Sequence, residues 1–278
     1  MNNAETAETV LKPQLDEKCA PYKAALAAQA RRVVALHLTG VPVAKDFSGI
    51  PPEAAAAPAG SRIGGPALVT DNYPWPVDAD DHPMTHLAQL NLAELPQLGG
   101  YPDSGLLQFF IADDDALGFN YEEKPNYRGF VVRLIPTAEL TAGTIAVTPT
   151  TDDYPFDGGF FTVTGQLYDQ LPNPSDHKFE QAGLPLSWLD EDPDVEHCCG
   201  VLHDELPATI LGPGWAKFTQ DDPREEDTDL QLLFQLDWEN HHGVQVMFGD
   251  AGVANFFITP TDLATQNFDN VFYSWDCC

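Results

Sequence analysis

His197-Cys198-Cys199, with His203 downstream, is the densest set of soft metal ligands in the chain. Zinc needs four nitrogen or sulfur ligands around one point. Adjacent cysteines in one short segment rarely both reach the same ion, and no second cysteine pair with two-residue spacing follows. The segment therefore predicts no structural zinc, unless Cys277 and Cys278 fold back onto it. The acidic runs Asp113 to Asp115, Asp190 to Glu196 and Asp221 to Asp227 supply oxygens of the kind calcium takes, but none has the alternating ligands and central glycine of an EF-hand loop. They read as solvated loops. No glycine-rich phosphate loop ending in Lys and Ser or Thr occurs, nor a glycine-x-serine-x-glycine elbow, which argues against ATP hydrolysis and serine esterase chemistry. His241-His242-Gly243 reads as an exposed turn. Trp75, held between Pro74 and Pro76, suits either an exposed recognition wall or packing over a sheet edge.

Composition narrows the partners. Of 278 residues, 43 are acidic and 13 basic, a formal net charge of −30. Phosphate binding rests on Lys and Arg, so nucleic acid is excluded as an ordinary partner. A hydrophobic fraction of 43% fits a packed globular chain and not an acidic tail. Met1 to Val10 carry no apolar core and no basic residue, so no secretory signal is expected. The apolar stretch Val33 to Val43, broken by His37, Gly40 and Pro42, is too short to span a bilayer. Five cysteines, four of them as adjacent pairs, argue against a disulfide framework. Reduced thiols and a cytoplasmic location are the expectation, with no cofactor.

These residues need elements to hold them. Alanine-rich Pro21 to Arg32 predicts one N-terminal helix. Pro51 to Gly60, four alanines between prolines, predicts a surface excursion. Beyond it, short runs of Phe, Val, Leu and Thr such as Gly129 to Ile135 and Phe160 to Gln166 predict strands. An internal repeat organises them: Leu87-Ala88-Gln89-Leu90-Asn91-Leu92 recurs as Leu233-Phe234-Gln235-Leu236-Asp237-Trp238. Gly105-Leu106-Leu107-Gln108-Phe109-Phe110-Ile111 likewise recurs as Gly252-Val253-Ala254-Asn255-Phe256-Phe257-Ile258. The order is kept and the spacing differs by one residue. On alternating strands the repeat puts amides Gln89, Gln108, Gln235 and Asn255 at matched sites among apolar neighbours. Either they satisfy backbone groups around the sheet, or they line a polar cleft between the halves.

Gly64-Gly65-Pro66, Tyr73-Pro74-Trp75-Pro76, Pro83-Met84, Leu87-Ala88-Gln89-Leu90 and Gly105 to Phe110 follow one another in an order that resembles the YwqG-like bacterial proteins. Phe218 to Arg224, Leu233 to Asp237, Gly249-Asp250-Ala251-Gly252, Asn255 to Ile258 and Trp275 to Cys278 continue the likeness. The resemblance covers about Ile63 to the C-terminus and implies a single intracellular α+β unit with duplicated halves and no established catalytic set. The fold expected is thus α+β: a sheet-rich unit of two pseudo-repeats of mainly antiparallel strands, with an N-terminal helix. Residues 1–62 are expected to form a helical segment and Ala/Pro-rich loop and 63–278 the duplicated domain, the two making one structural unit with the N-terminal segment packed on the domain. The function expected is a non-enzymatic module whose acidic loops engage a basic protein, an immunity-type protein being one instance, with Trp75, Asp221, Asp222 and Asp250 as its surface. The alternative is a small-molecule binder or hydrolase with its site between the repeats.

Overall fold

The computed structural model describes residues 12–278 except 13, 44–48, 121–128, 148–154, 188, 205–206, 208 and 226–227. The expected signal-free stretch Met1 to Val10 lies outside them. Ten strands form one antiparallel sheet: β1 (Arg31–Pro42), β2 (Arg62–Ile63), β3 (Thr85–Asn91), β4 (Leu106–Ile111), β5 (Phe130–Ile135), β6 (Gly159–Gln170), β7 (Ile210–Leu211), β8 (Gln231–Leu236), β9 (Val253–Ile258) and β10 (Phe272–Asp276). Their spatial order is β10-β9-β8-β7-β1-β6-β2-β3-β4-β5. β1 to β5 and β6 to β10 are therefore two copies of one five-strand unit, related by a pseudo-twofold axis between β1 and β6. The copies exchange their first strands: β1 pairs with β7, and β6 with β2.

The repeat read from sequence holds at the level of single residues. Gln89 lies opposite Gln108, and Gln235 opposite Asn255. Each third strand carries a bulge at the same place, between His86 and Ala88 in β3 and between Leu232 and Phe234 in β8. A bulge sets one extra residue against its partner strand and bends the sheet. Here it brings consecutive residues, Leu87 with Ala88 and Leu233 with Phe234, into one core cluster. The sheet curls until Phe109 meets Phe234 at 4.6 Å and Phe256 at 4.9 Å, while Phe130 of edge strand β5 sits 5.4 Å from Tyr273 of edge strand β10. Its inner face is the core shared by both halves.

The outer face is covered by loops. β2 and β7 end after two residues because Gly64, Gly65 and Gly212 adopt φ of +71°, +67° and +133°, a region open to glycine and costly for other residues. Each chain then turns out of the sheet and back across its outer surface. Ala67, Met84 and Phe110 pack there in the first half, and Ala216, Phe218 and Phe257 in the second.

The N-terminal region departs from expectation in three ways. The helix is short, a 3-10 turn Ala20–Tyr22 followed by Lys23–Ala28, because the chain enters β1 at Arg31 and pairs with β6 along its whole length. The segment Pro51 to Gly60 is more than an excursion: Pro52–Ala56 is helical, Ala54 is buried, and the carbonyls that follow are bonded by Arg62 and Gln89. Cys198 is not reduced but joined to Cys19. Both cysteines of the adjacent pair lie on helix Pro193–Asp204, where neighbours diverge by about 100°. One can therefore meet Cys19 while Cys199 stays buried and free. β1 stands at the centre of the sheet.

Candidate functional site

The four matched amides are fully buried on the outer face, each pair within its own half. Gln89 Oε1 accepts the Leu68 N–H at 3.0 Å and Gln108 Nε2 donates to the Leu68 carbonyl at 2.8 Å. In the second half Gln235 Oε1 accepts the Lys217 N–H at 2.8 Å and Asn255 Nδ2 donates to the Lys217 carbonyl at 2.9 Å. Two amides clamp both polar groups of one loop peptide, and the clamp is duplicated. Gln89 Nε2 also donates to Pro58 and Gly60. The geometry answers the backbone need of the returning loops and sets none of these amides in a groove between the halves.

The expected interaction residues separate. Trp75 is half-buried, donates Nε1–H to Met84 and packs edge-on against Phe110 at 5.4 Å and His86 at 6.4 Å. Asp221 and Asp250 are exposed near the C-terminal strand, where Asp276 accepts the N–H groups of Thr219 and Gln220 and the Asp250 carbonyl accepts from Cys278. Asp222 is not a surface residue. Its carboxylate binds Arg224 through Nε at 2.9 Å and Nη2 at 2.6 Å, and His177 Nδ1 lies 2.7 Å away. Burial opposes its charge, yet the Arg224 hydrogen bonds and charge hold it below the usual carboxylate range.

Asp176, His177 and Asp222 bring ligand atoms within 4.8 Å of one another, the spacing of a metal site. The Arg224 guanidinium already occupies the cation position, 2.9 Å from Asp176 Oδ1 and 4.3 Å over the Phe257 ring. Asp176 in turn accepts the Ala216 and Lys178 N–H groups, so the cluster pins the loop beside the clamped Lys217. The histidine and cysteine set does not assemble either. His197 bonds Asp16, His203 bonds Asp204 and the Phe218 carbonyl, and burial pushes the Cys199 thiol up to about 11. His241 and His242 stack at the expected turn, where His241 Nδ1 accepts the Gly40 N–H.

The arrangement with binding chemistry was missed by the sequence reading, which places Arg31 and Arg32 at a helix end. A cavity of about 610 Å³ opens between the start of β1, the first-half loop at Gln97 to Gly99 and the second-half loops, lined by Arg31, Arg32 and Lys178 with Gln97, Asp229 and Gln231. Arg31 is stacked 3.6 Å over Trp215 and donates Nη1–H to the Gly214 carbonyl. Lys178 Nζ donates to the Leu230 carbonyl at 2.6 Å. Burial lowers the pKa of both and Arg224 adds repulsion, while the Asp176 charge pulls each the other way. Each cation is anchored through one donor, leaving the others for a ligand.

The remaining cations sharpen the contrast. Among the described residues, Arg62 is spent on loop carbonyls, Arg133 on Gln108 and Pro74, Arg224 on two carboxylates, Lys217 on Asp237 and Lys18 on Asp194, while Lys12 and Lys23 line a separate, smaller cavity. The first three are fixed inside the fold. In a chain with 43 acids, three cations lining one cavity is the opposite of what its average charge gives.

No curated protein matches the chain. One family model does, over residues 61–277, starting at β2 and ending just past β10. It therefore takes in nine of the ten strands, both amide clamps and the Asp176–Asp222–Arg224 cluster, while Arg31 and Arg32 on β1 precede it. On that match the chain belongs to the family described as Domain of unknown function (DUF1963).

Proposed function

We propose that this chain is a binding protein for a small anionic molecule, seated in the cavity between Arg31, Arg32 and Lys178. The observation that carries the reading is that these three residues line one space of about 610 Å³, within the size range of small-molecule sites. Preorganisation supports it. Trp215 and two backbone carbonyls hold Arg31 and Lys178 in place, so ligand binding loses little further side-chain freedom. Arg32 is held less firmly, by Asp169 at 3.0 Å on a half-exposed side chain. Asp229 on the wall favours ligands that carry a donor as well as an anion.

Isothermal titration with inorganic phosphate and with pyrophosphate tests this at low and physiological salt. Binding at one site, weakened at least tenfold in Lys178→Ala and retained in Lys18→Ala, is the expected result. Equal heats in both variants, or none in the parent, would refute it. Loss of one charge-assisted hydrogen bond corresponds to roughly that factor.

A second reading, docking of a basic protein on the acidic surface, is favoured by one observation. Asp221 and Asp250 are both exposed next to the C-terminal strand, where the Asp276 side chain and the Asp250 carbonyl accept backbone N–H groups. An oligo-arginine peptide should bind the parent and bind less to an Asp221→Asn/Asp250→Asn variant. Indifference to that double change would remove the reading.

A further inference from the structure

A second cavity of about 210 Å³ adjoins the first. Its walls are Leu15, Ala27, Ala30 and Leu171, with Lys12, Lys23 and Asp169 also lining it. The two spaces share a partition. Arg32 and Asp169 are directly opposed in the β1–β6 register and bonded at 3.0 Å, and Arg32 lines the larger cavity while Asp169 lines the smaller. Ala30 on the smaller wall is followed in the chain by Arg31 on the larger. The larger cavity gathers three cations; the smaller sets four apolar residues beside two lysines, whose aliphatic stems extend that surface.

We infer that the ligand is an amphipathic anion. Its phosphate or carboxylate head lies against Arg31 and Lys178, and its apolar body crosses the Arg32–Asp169 pair into the space walled by Leu15, Ala27 and Leu171. The inference rests on the anion-binding reading and names its ligand class. The head is assigned to the cavity where three cations meet one acid, and the hydrocarbon to the one where Leu15, Ala27, Ala30 and Leu171 supply apolar surface beside the lysine stems. Crossing requires the exposed Arg32–Asp169 contact to yield. That cost is small, because a partly exposed ion pair contributes little net stability, and the head anion supplies Arg32 with a replacement partner.

Titration calorimetry with n-alkyl phosphates from methyl to octyl, and with n-alkyl carboxylates of matched length, reads the proposal directly. All are used below their aggregation concentrations. Affinity should rise roughly two- to fourfold per methylene, as expected for hydrocarbon leaving water, until the second cavity is filled. Ala27→Glu, a substitution at an exposed helix position, should flatten that rise while leaving methyl phosphate binding unchanged. Asp169→Asn should strengthen binding of the head alone by releasing Arg32. If methyl phosphate binds and neither series depends on chain length, the amphipathic ligand is ruled out and the anion site stands. If no member of either series binds, and phosphate and pyrophosphate also fail, the anion site falls and the inference falls with it. A chain-length rise that persists undiminished in Ala27→Glu would place the hydrocarbon elsewhere and overturn the assignment.

Discussion

His86 shows how strongly one residue's environment departs from what its type suggests. Its ring is buried between Trp75 and Phe110, Nδ1 lies 3.1 Å from the Gly65 carbonyl, and Nε2 has no hydrogen-bond partner. Burial, with the nearby Arg62 charge, pushes its pKa down to about 3. The unfolded chain would take up a proton near pH 6.5. Because the folded pKa is the lower one, the neutral ring's full contribution is present above pH 6.5 and is lost as pH falls toward 3. His86 alone should contribute a slope of about 1.4 kcal/mol per pH unit through that window. Urea unfolding from pH 7 to pH 4 should show the slope in the parent, and His86→Phe should reduce it by about that amount. Equal slopes in the two proteins would mean that His86 is protonated in the fold. Arg224 and Lys178 make the complementary contrast. The first is locked between Asp176 and Asp222, whereas the second feels those carboxylates only at a distance, donates to a carbonyl and lines a cavity. Sequence could not separate them, since each is a lone cation among acids and the partners of Arg224 at positions 176 and 222 belong to different segments.

At the scale of elements, the amide clamps follow from the turn after the two-residue strands. A glycine at positive φ sends the loop back over the sheet, its peptide at Leu68 or Lys217 loses water, and paired side-chain amides replace that water. Leaving such a buried group unpaired costs about 1–3 kcal/mol. Gln235→Leu should therefore destabilise the chain by that amount. Gln89→Leu should cost more, because Gln89 also bonds Pro58 and Gly60. Chemical denaturation orders the two; a smaller loss for Gln89→Leu would contradict the clamp. This level was the most legible one. Polar residues at fixed positions in apolar, alternating strands marked the repeat, and Leu87 and Leu233 fell at matched places before their bulges showed why. What sequence could not show was the amides' direction. Alternation puts them opposite Ala88, Leu90 and Phe234, but only the loops reveal that this opposite face is covered. The short helix and the bonded Ala/Pro segment were obscured for a related reason, as alanine-rich composition carries no signal for contacts made by its carbonyls.

For the whole molecule, the exchange of β1 and β6 explains both the architecture and the site. β1 belongs to the first repeat by chain order but lies against β7 of the second, which carries Arg31 and Arg32 to Lys178 and Trp215. Neither the exchange nor the Cys19–Cys198 bridge could be read from local patterns, because both join segments separated by most of the chain. Net charge pointed toward a basic partner and away from anions, yet an average of −30 says nothing about a cavity where few charges are gathered. A crystal of the full chain soaked in tungstate or selenate provides the direct measurement. An anomalous difference peak within hydrogen-bonding reach of both Arg31 and Lys178, absent in a Lys178→Ala crystal treated identically, is the predicted result. Full soaking with no peak in that cavity, or peaks confined to other surfaces, would contradict the anion-binding account.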